Sequence, residues 1–383
     1  MMQHPAPPIS TADDMIEFSP GHPDPALLPV AGMGRAAMTT VQQAGPLALM
    51  YGAERGPAPL LDQLRTRIGQ QEGTTPAVDC MMITGGISQA LDMLCARLTR
   101  RGDIVLVESP TYHLALHIFR DYGLTLAPIP VDDQGLRVDM VENVYKTLQL
   151  QGQQVRFLYT IPTFNNPTGT NLASERRSDL VAFAQRIGLL IIEDDAYREL
   201  WYDAPPPPSL SQLALVGPVI RLGSFTKVLA PGLRLGWMLA APAIVQRCIH
   251  SGLLTSGGGI NHFTAQVVST FLSQEGFDAH IAMLRDTYHR RRDSLLAALA
   301  RYLPNDCTWR TPMGGFCVWI RLPTHYDTTR LLPTFHAAGV GFVPGHRFYS
   351  GSGGERYLRL SFSLLTPEVM EEGVRRLSNV LLR

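Results

Sequence analysis

Lysine is all but missing from this sequence. Of its 33 basic residues, two (Lys146 and Lys227) are lysine, and arginine supplies the rest. Cysteine is sparse as well. The five residues Cys80, Cys95, Cys248, Cys307 and Cys317 are odd in number and scattered, which excludes a disulfide framework and gives no metal-ligand spacing. The histidines form no HExxH or comparable cluster, so no metal is expected. No apolar run reaches the ~18 residues of a membrane span. The opening MMQHPAPPISTADDMIEF has neither the basic start nor the apolar stretch of a signal peptide. Net charge is zero, with no long block of one sign, which argues against nucleic acid or an anionic membrane as main partner. The expected compartment is the cytoplasm.

What is present is core material. The chain has 383 residues, 45% hydrophobic and 17% charged, enough for one large and one smaller domain. To about residue 45 the sequence is rich in Pro, Gly and Ala and reads as an arm with little regular structure. Beyond it the pattern is α/β, with strands expected at 104–108, 155–160, 188–193, 219–223 and 234–240. Helices are expected between them, at 87–100 and 173–186 among others. The strand runs are almost continuously apolar, as in a mostly parallel sheet covered by helices on both faces. A long helical pattern spans 277–303, its HRRR run (289–292) reading as a solvated face. FCVWIRL and YLRLSFS then suggest a second, smaller α+β domain. The tetraproline 205–208 reads as a rigid surface loop.

Four strands run into polar segments at their C-terminal ends: SPTY (109–112), TFNNPTG (163–169), DDAY (194–197) and SFTK (224–227). Open α/β sheets bind ligands at that rim. One of the two lysines sits there. Arginine stays protonated, whereas a partly buried lysine can lose its proton and form a Schiff base. Ser224-Phe225-Thr226-Lys227 also matches the S-x-x-K motif of serine β-lactamases, but the companion S-D-N and K-T-G motifs are absent. The Gly pair in TGGISQALDML (84–94) opens a helix and exposes amides suited to phosphate. Arg234, seven residues after the lysine, can add a fixed charge there. Phosphate and Schiff-base lysine together suggest pyridoxal 5′-phosphate (PLP).

SFTKVLAPGLRLGW, FNNPTG and EDDAYREL resemble the motifs of fold-type I, class I/II PLP-dependent aminotransferases. FSPGHPDP (18–25), YG (51–52), PMGGFCVW (312–319) and YLRLSFS (357–363) extend that resemblance over nearly the whole chain, closest to the 2-aminoadipate and kynurenine-type branch. It implies a large PLP-binding domain over 46–275 and a small domain made of the arm (1–45) and residues 276–383, the latter beginning with a connecting helix. It also implies roles. Lys227 would form the internal aldimine and shuttle the proton. Asp194 would pair with the pyridine nitrogen and keep the ring an electron sink, while Asp195 is left as a helix cap. Asn166 and Tyr197 would hydrogen-bond the cofactor's phenolic oxygen, and Tyr112 would stack on the ring. Gly86, Ile87 (through its backbone amide only), Ser88, Ser224 and Arg234 would hold the phosphate. Arg359 would clamp the substrate carboxylate, near Gly21 and Asn166. Tyr51 would reach the phosphate of a neighbouring subunit, which implies a homodimer with a shared site.

The expected activity is transfer of an amino group from an L-α-amino acid to a 2-oxo acid such as 2-oxoglutarate. Two alternatives stand beside it. One is another PLP reaction on the same fold: elimination, decarboxylation or oxidation. The other is a non-catalytic PLP-binding sensor; such regulators carry a winged-helix segment ahead of this part, and the family motifs here begin at about residue 18.

Overall fold

The computed structural model describes residues 14–382 apart from 216 and 275. The first 13 residues of the expected N-terminal arm therefore lie outside the described residues. The described chain enters through a short strand, β1 (Ile16–Glu17), and a 15-residue helix, Val30–Ala44. That helix replaces the irregular arm expected from its Pro, Gly and Ala content. Its small buried residues Gly32, Ala36 and Thr40 recur every four positions, a stripe that lets two helices approach closely. The partner is the helix His262–Gln274, and the Thr40 and Thr270 hydroxyls meet at 2.8 Å.

Eight strands follow: β2 (Met81–Thr84), β3 (Ile104–Ser109), β4 (Thr125–Asp132), β5 (Gly135–Leu136), β6 (Val155–Thr160), β7 (Leu190–Asp194), β8 (Val219–Ser224) and β9 (Gly236–Leu239). They form one sheet in the order β2-β9-β8-β7-β6-β3-β4-β5. The neighbours β8, β7, β6, β3 and β4 run parallel, and β2, β9 and β5 pair antiparallel. The sheet is buried on both sides. Val105, Val107, Phe157, Tyr159 and Ile192 join one apolar cluster, and the alternate residues Leu106, Leu158 and Ile191 join another. Strand residues alternate between faces, so burial of both faces leaves no polar alternation to read.

The helix Phe277–Tyr302 leads to a second sheet: β10 (Thr308–Trp309), β11 (Cys317–Arg321), then β12 (Val340–Gly341), which returns to pair with β1, and β13 (Val343–Pro344) and β14 (Tyr357–Ser361). Its antiparallel order is β10-β11-β14-β13. The HRRR run is a solvated face only in part: Arg290 is exposed, but its two successors are not. Arg292 is 4% exposed and pairs with Asp203 at 2.5 Å, while Arg291 pairs with Asp24 at 2.5 Å. Residues 196–199 form turns instead of opening a helix, so Asp195 caps none. The tetraproline is a loop, as expected, and the Pro207 and Pro208 carbonyls accept from Arg198 and Arg177.

Candidate active site

The C-terminal ends of β8, β7, β6 and β3 lie side by side because those strands are consecutive in the sheet. Residues from all four ends line a cavity of about 130 Å³. Nine of the residues singled out in the sequence reach it: Ile87, Ser88, Tyr112, Asn166, Asp194, Tyr197, Ser224, Lys227 and Arg234. Three others stand at its edge. Lys227 Nζ donates to the Gly21 carbonyl at 2.7 Å. A Cβ on Gly21 would lie 3.7 Å from the Arg359 guanidinium, and one on Gly86 would lie 3.5 Å from Arg234 Nη2. Tyr51 does not join them; it is 80% exposed and does not line this cavity.

At one end of the cavity the features match an anion. Gly86, at φ 86°, caps the helix Ile87–Leu98, whose first amides carry the positive end of the helix dipole. Arg234 faces it from a left-handed turn (φ 46°, ψ 51°), its carbonyl held by Asn261 Nδ2. Ser224 Oγ donates to Thr226 Oγ1 at 2.8 Å, adding two hydroxyls beside Ser88.

The same cavity carries a carboxylate. β7 ends in Glu193 and Asp194, Asp195 follows directly, and each of the three acids is sent to a different place. Glu193 accepts from the Leu210 and Ser211 amides at 2.9 and 3.0 Å. Asp195 accepts from Arg221 Nε at 2.7 Å, in a buried pair that also engages Glu72. Asp194 alone faces the cavity. Its Oδ2 accepts from Tyr159 at 2.7 Å, and its Oδ1 is buried with no partner. Burial pushes its carboxyl up to about 6.

Lys227 also lines the cavity, deep in the fold yet partly open to it. Burial pushes its ammonium down to about 8. Its Nζ stands 5.6 Å from the centre of the Tyr197 ring. Above, on β14, Arg359 is buried; Nη1 donates to Asn166 Oδ1 at 2.9 Å and Nη2 to the Ser19 carbonyl at 2.6 Å. Lys146, by contrast, is an ordinary surface lysine paired with Glu142 at 2.8 Å.

Sequence reasoning missed Glu108, Tyr159, Asn165 and Thr226. Glu108 is fully buried and accepts from Thr160 Oγ1 (2.5 Å), the Ile161 amide (2.9 Å) and Asn165 Nδ2 (2.8 Å). That fixes the turn carrying Asn166. A glutamate closing the apolar run IVLVE was a usable signal. Tyr159, inside FLYT, looks like core and gave none.

These donors fit PLP: amides, hydroxyls and a guanidinium for a dianionic phosphate, a free carboxylate oxygen for a protonated ring nitrogen, and an amine for the aldehyde. Fold and site together define a PLP-dependent enzyme of fold type I. The chain belongs to the aminotransferase class I and II family, whose model matches residues 14–377, and it is a PLP-dependent transaminase. It is 33% identical over 368 residues to aromatic-amino-acid aminotransferase 1 of Thermococcus litoralis, covering 96% of this chain and 88% of the relative. It is 35% identical over 371 residues to the 2-aminoadipate transaminase of Thermus thermophilus (96% and 90% covered). Among solved structures, kynurenine aminotransferase of Pyrococcus horikoshii matches with TM-score 0.92 at 34% identity, covering 97% of this chain and 91% of that one. No helix among the described residues is long and apolar enough to cross a membrane.

Proposed function

We propose that Lys227 bears the cofactor and that the enzyme moves the amino group of an L-α-amino acid to a 2-oxo acid, with 2-oxoglutarate as acceptor. The observation that carries this reading is that a lysine with a lowered pKa and a buried carboxylate with one free oxygen line a single cavity. When bound, PLP supplies the electron sink that stabilises negative charge at the substrate Cα. Asp194 Oδ1 holds the proton on the ring nitrogen. Asn166 and Tyr197 bind the phenolic oxygen, and Tyr112 packs on the ring. The Gly86 turn, the Ile87 amide, Ser88, Ser224, Thr226 and Arg234 bind the phosphate. Arg359 orients the substrate by its carboxylate, with Gly21 and Asn166 beside it, and Lys227 Nζ takes the proton from Cα.

The large domain spans 46–275, and the small domain combines the N-terminal arm with 276–383. Two copies form a homodimer in which Tyr51 reaches the partner's site. Val30, Met38, Leu47, Leu49 and Met50 are large apolar side chains left exposed around the helix Val30–Ala44 and the turn Gly45–Leu49, and an apolar patch of that kind marks an interface. All five cysteines are free thiols, which supports the cytoplasm as compartment. The test is a half-reaction screen. Single amino acids are added to the PLP enzyme and loss of the absorbance of the lysine-bound cofactor is followed, then its recovery with 2-oxoglutarate. If no amino acid in a broad panel drives that cycle, the reading fails.

A further inference from the structure

The hydroxyl of Tyr159 is the one side-chain donor bound to the Asp194 carboxylate among the described residues. We propose that Tyr159 is a positioning residue for Asp194: its hydroxyl holds Oδ2, so that Oδ1 is the oxygen presented to the cofactor ring, and it keeps the carboxylate charged. This rests on the reading that Asp194 pairs with the ring nitrogen.

Strand register makes the contact. Tyr159 on β6 stands opposite Ile192 on β7. Asp194, two residues further on, shares the Ile192 face because side chains alternate along a strand. The phenol therefore runs along the sheet toward the strand end and meets the carboxylate at 2.7 Å. The ring cannot swing to another acceptor. Tyr159 is wholly buried, and Phe119 packs edge-on against it with ring centres 5.3 Å apart.

Packing alone would be served by phenylalanine, since a buried hydroxyl adds only a donor that must be satisfied. Here its acceptor is the carboxylate of the cavity. The surroundings show why a donor matters. Glu108, Tyr112 and Tyr197 act electrostatically with Asp194, as does the adjacent Asp195, whose side chain is turned to Arg221, and Lys227 is the cation acting on it. Burial and the neighbouring Asp195 charge disfavour the charged form. Tyr159 is the foremost influence opposing burial, followed by the Ala196 amide.

The test compares the holoenzyme with Tyr159→Phe and Asp194→Asn, each loaded with cofactor labelled at the ring nitrogen with ¹⁵N. Removing a hydrogen bond to a charged group should lower kcat of Tyr159→Phe about 10- to 100-fold, with KM little changed. The ¹⁵N signal should move toward the unprotonated position at neutral pH. Because the lost bond favoured ionised Asp194, the acidic limb of the kcat profile should move to higher pH. Tyr159→3-fluorotyrosine keeps the shape and strengthens the donor, so it should move that limb the opposite way; this arm also guards against poor folding of the phenylalanine variant. A residue that only filled space would alter thermal stability and move neither signal nor limb. If Asp194→Asn shifts the ¹⁵N signal and both Tyr159 variants leave it and the limb in place, Tyr159 has no such role and the reading of Asp194 stands. If Asp194→Asn itself changes neither kcat nor the signal, it is the reading of Asp194 that fails, and the proposal with it.

Discussion

Arg359 Nη1 donates to Asn166 Oδ1 at 2.9 Å across 193 residues of sequence, tying β14 of the small sheet to the loop that follows β6 of the large one. The same guanidinium holds the Ser19 carbonyl. One arginine thus connects three distant segments over the mouth of the cavity.

For Arg359→Ala we expect PLP still to bind, because none of the residues assigned to the phosphate lies on β14. Turnover of amino acids should fall. Loss of a charged, hydrogen-bonded pair costs about 2–5 kcal/mol, or roughly 30- to 5,000-fold in kcat/KM. Simple amines, which have no carboxylate, should be poor substrates of the parent and nearly indifferent to the change. An equal loss for amines and amino acids would remove the clamp from Arg359.

Asp194 and Asp195 should separate by readout. Asp194→Asn should lose on the order of 4–7 kcal/mol in the proton-transfer step with little loss of stability, since burial already opposes its charge. Asp195→Asn breaks a pair whose members are 2% and 1% exposed. Leaving Arg221 short of that partner should cost about 3–5 kcal/mol of stability, seen as a lower Tm. Reversal of the two patterns would put the ring-facing carboxylate one residue on.

Lys227 should be the residue labelled when the PLP enzyme is reduced with borohydride and mapped by peptide; label on Lys146 would contradict the assignment. Its lowered pKa gives a pH dependence. In the cofactor-free protein the amine is neutral above about pH 8, so the rate of PLP capture should climb through pH 8 and then level. Folding disfavours its protonated form, so the unfolded chain binds more protons between pH 8 and the ordinary lysine range. This group's contribution to stability therefore rises with pH across that window. A capture rate flat from pH 7 to about 9 would contradict the shift.

Leu47 and Leu49 are 70% and 71% exposed. Replacing both with Asp should yield monomers in sedimentation experiments and cost activity, because Tyr51 would no longer reach a partner's site. A double variant that remains dimeric would move the interface elsewhere.

The sheet and the site were legible to different depths. Buried strands such as Val155–Thr160 announce themselves as unbroken apolar runs, and the polar segments after them mark the rim. The edge strand Met81–Thr84 and the long Thr125–Asp132 do not, the latter because Pro128 and Pro130 interrupt its strand pattern. The helix Val30–Ala44 was hidden because its buried stripe is made of Gly, Ala and Thr, poor hydrophobic markers that serve close packing instead. Lys227 stood out through the rarity of its type. The buried ion pairs of Arg292 and Arg221 could not stand out, because an arginine's burial depends on an acid far away in sequence: 89 residues for Asp203, 26 for Asp195.

The three acids at the end of β7 carry a constraint on length. Glu193 secures the start of the helix Leu210–Ala214, Asp194 serves the cavity and Asp195 anchors Arg221. A strand turns successive residues to opposite faces, so insertion or deletion of a single residue in β7 would hand all three tasks to the wrong neighbours at once. Substitutions here can be judged one by one, whereas a frame change of one residue cannot. In lineages of this protein the spacing from Leu190 to Asp195 should drift less than the amino acids that fill it.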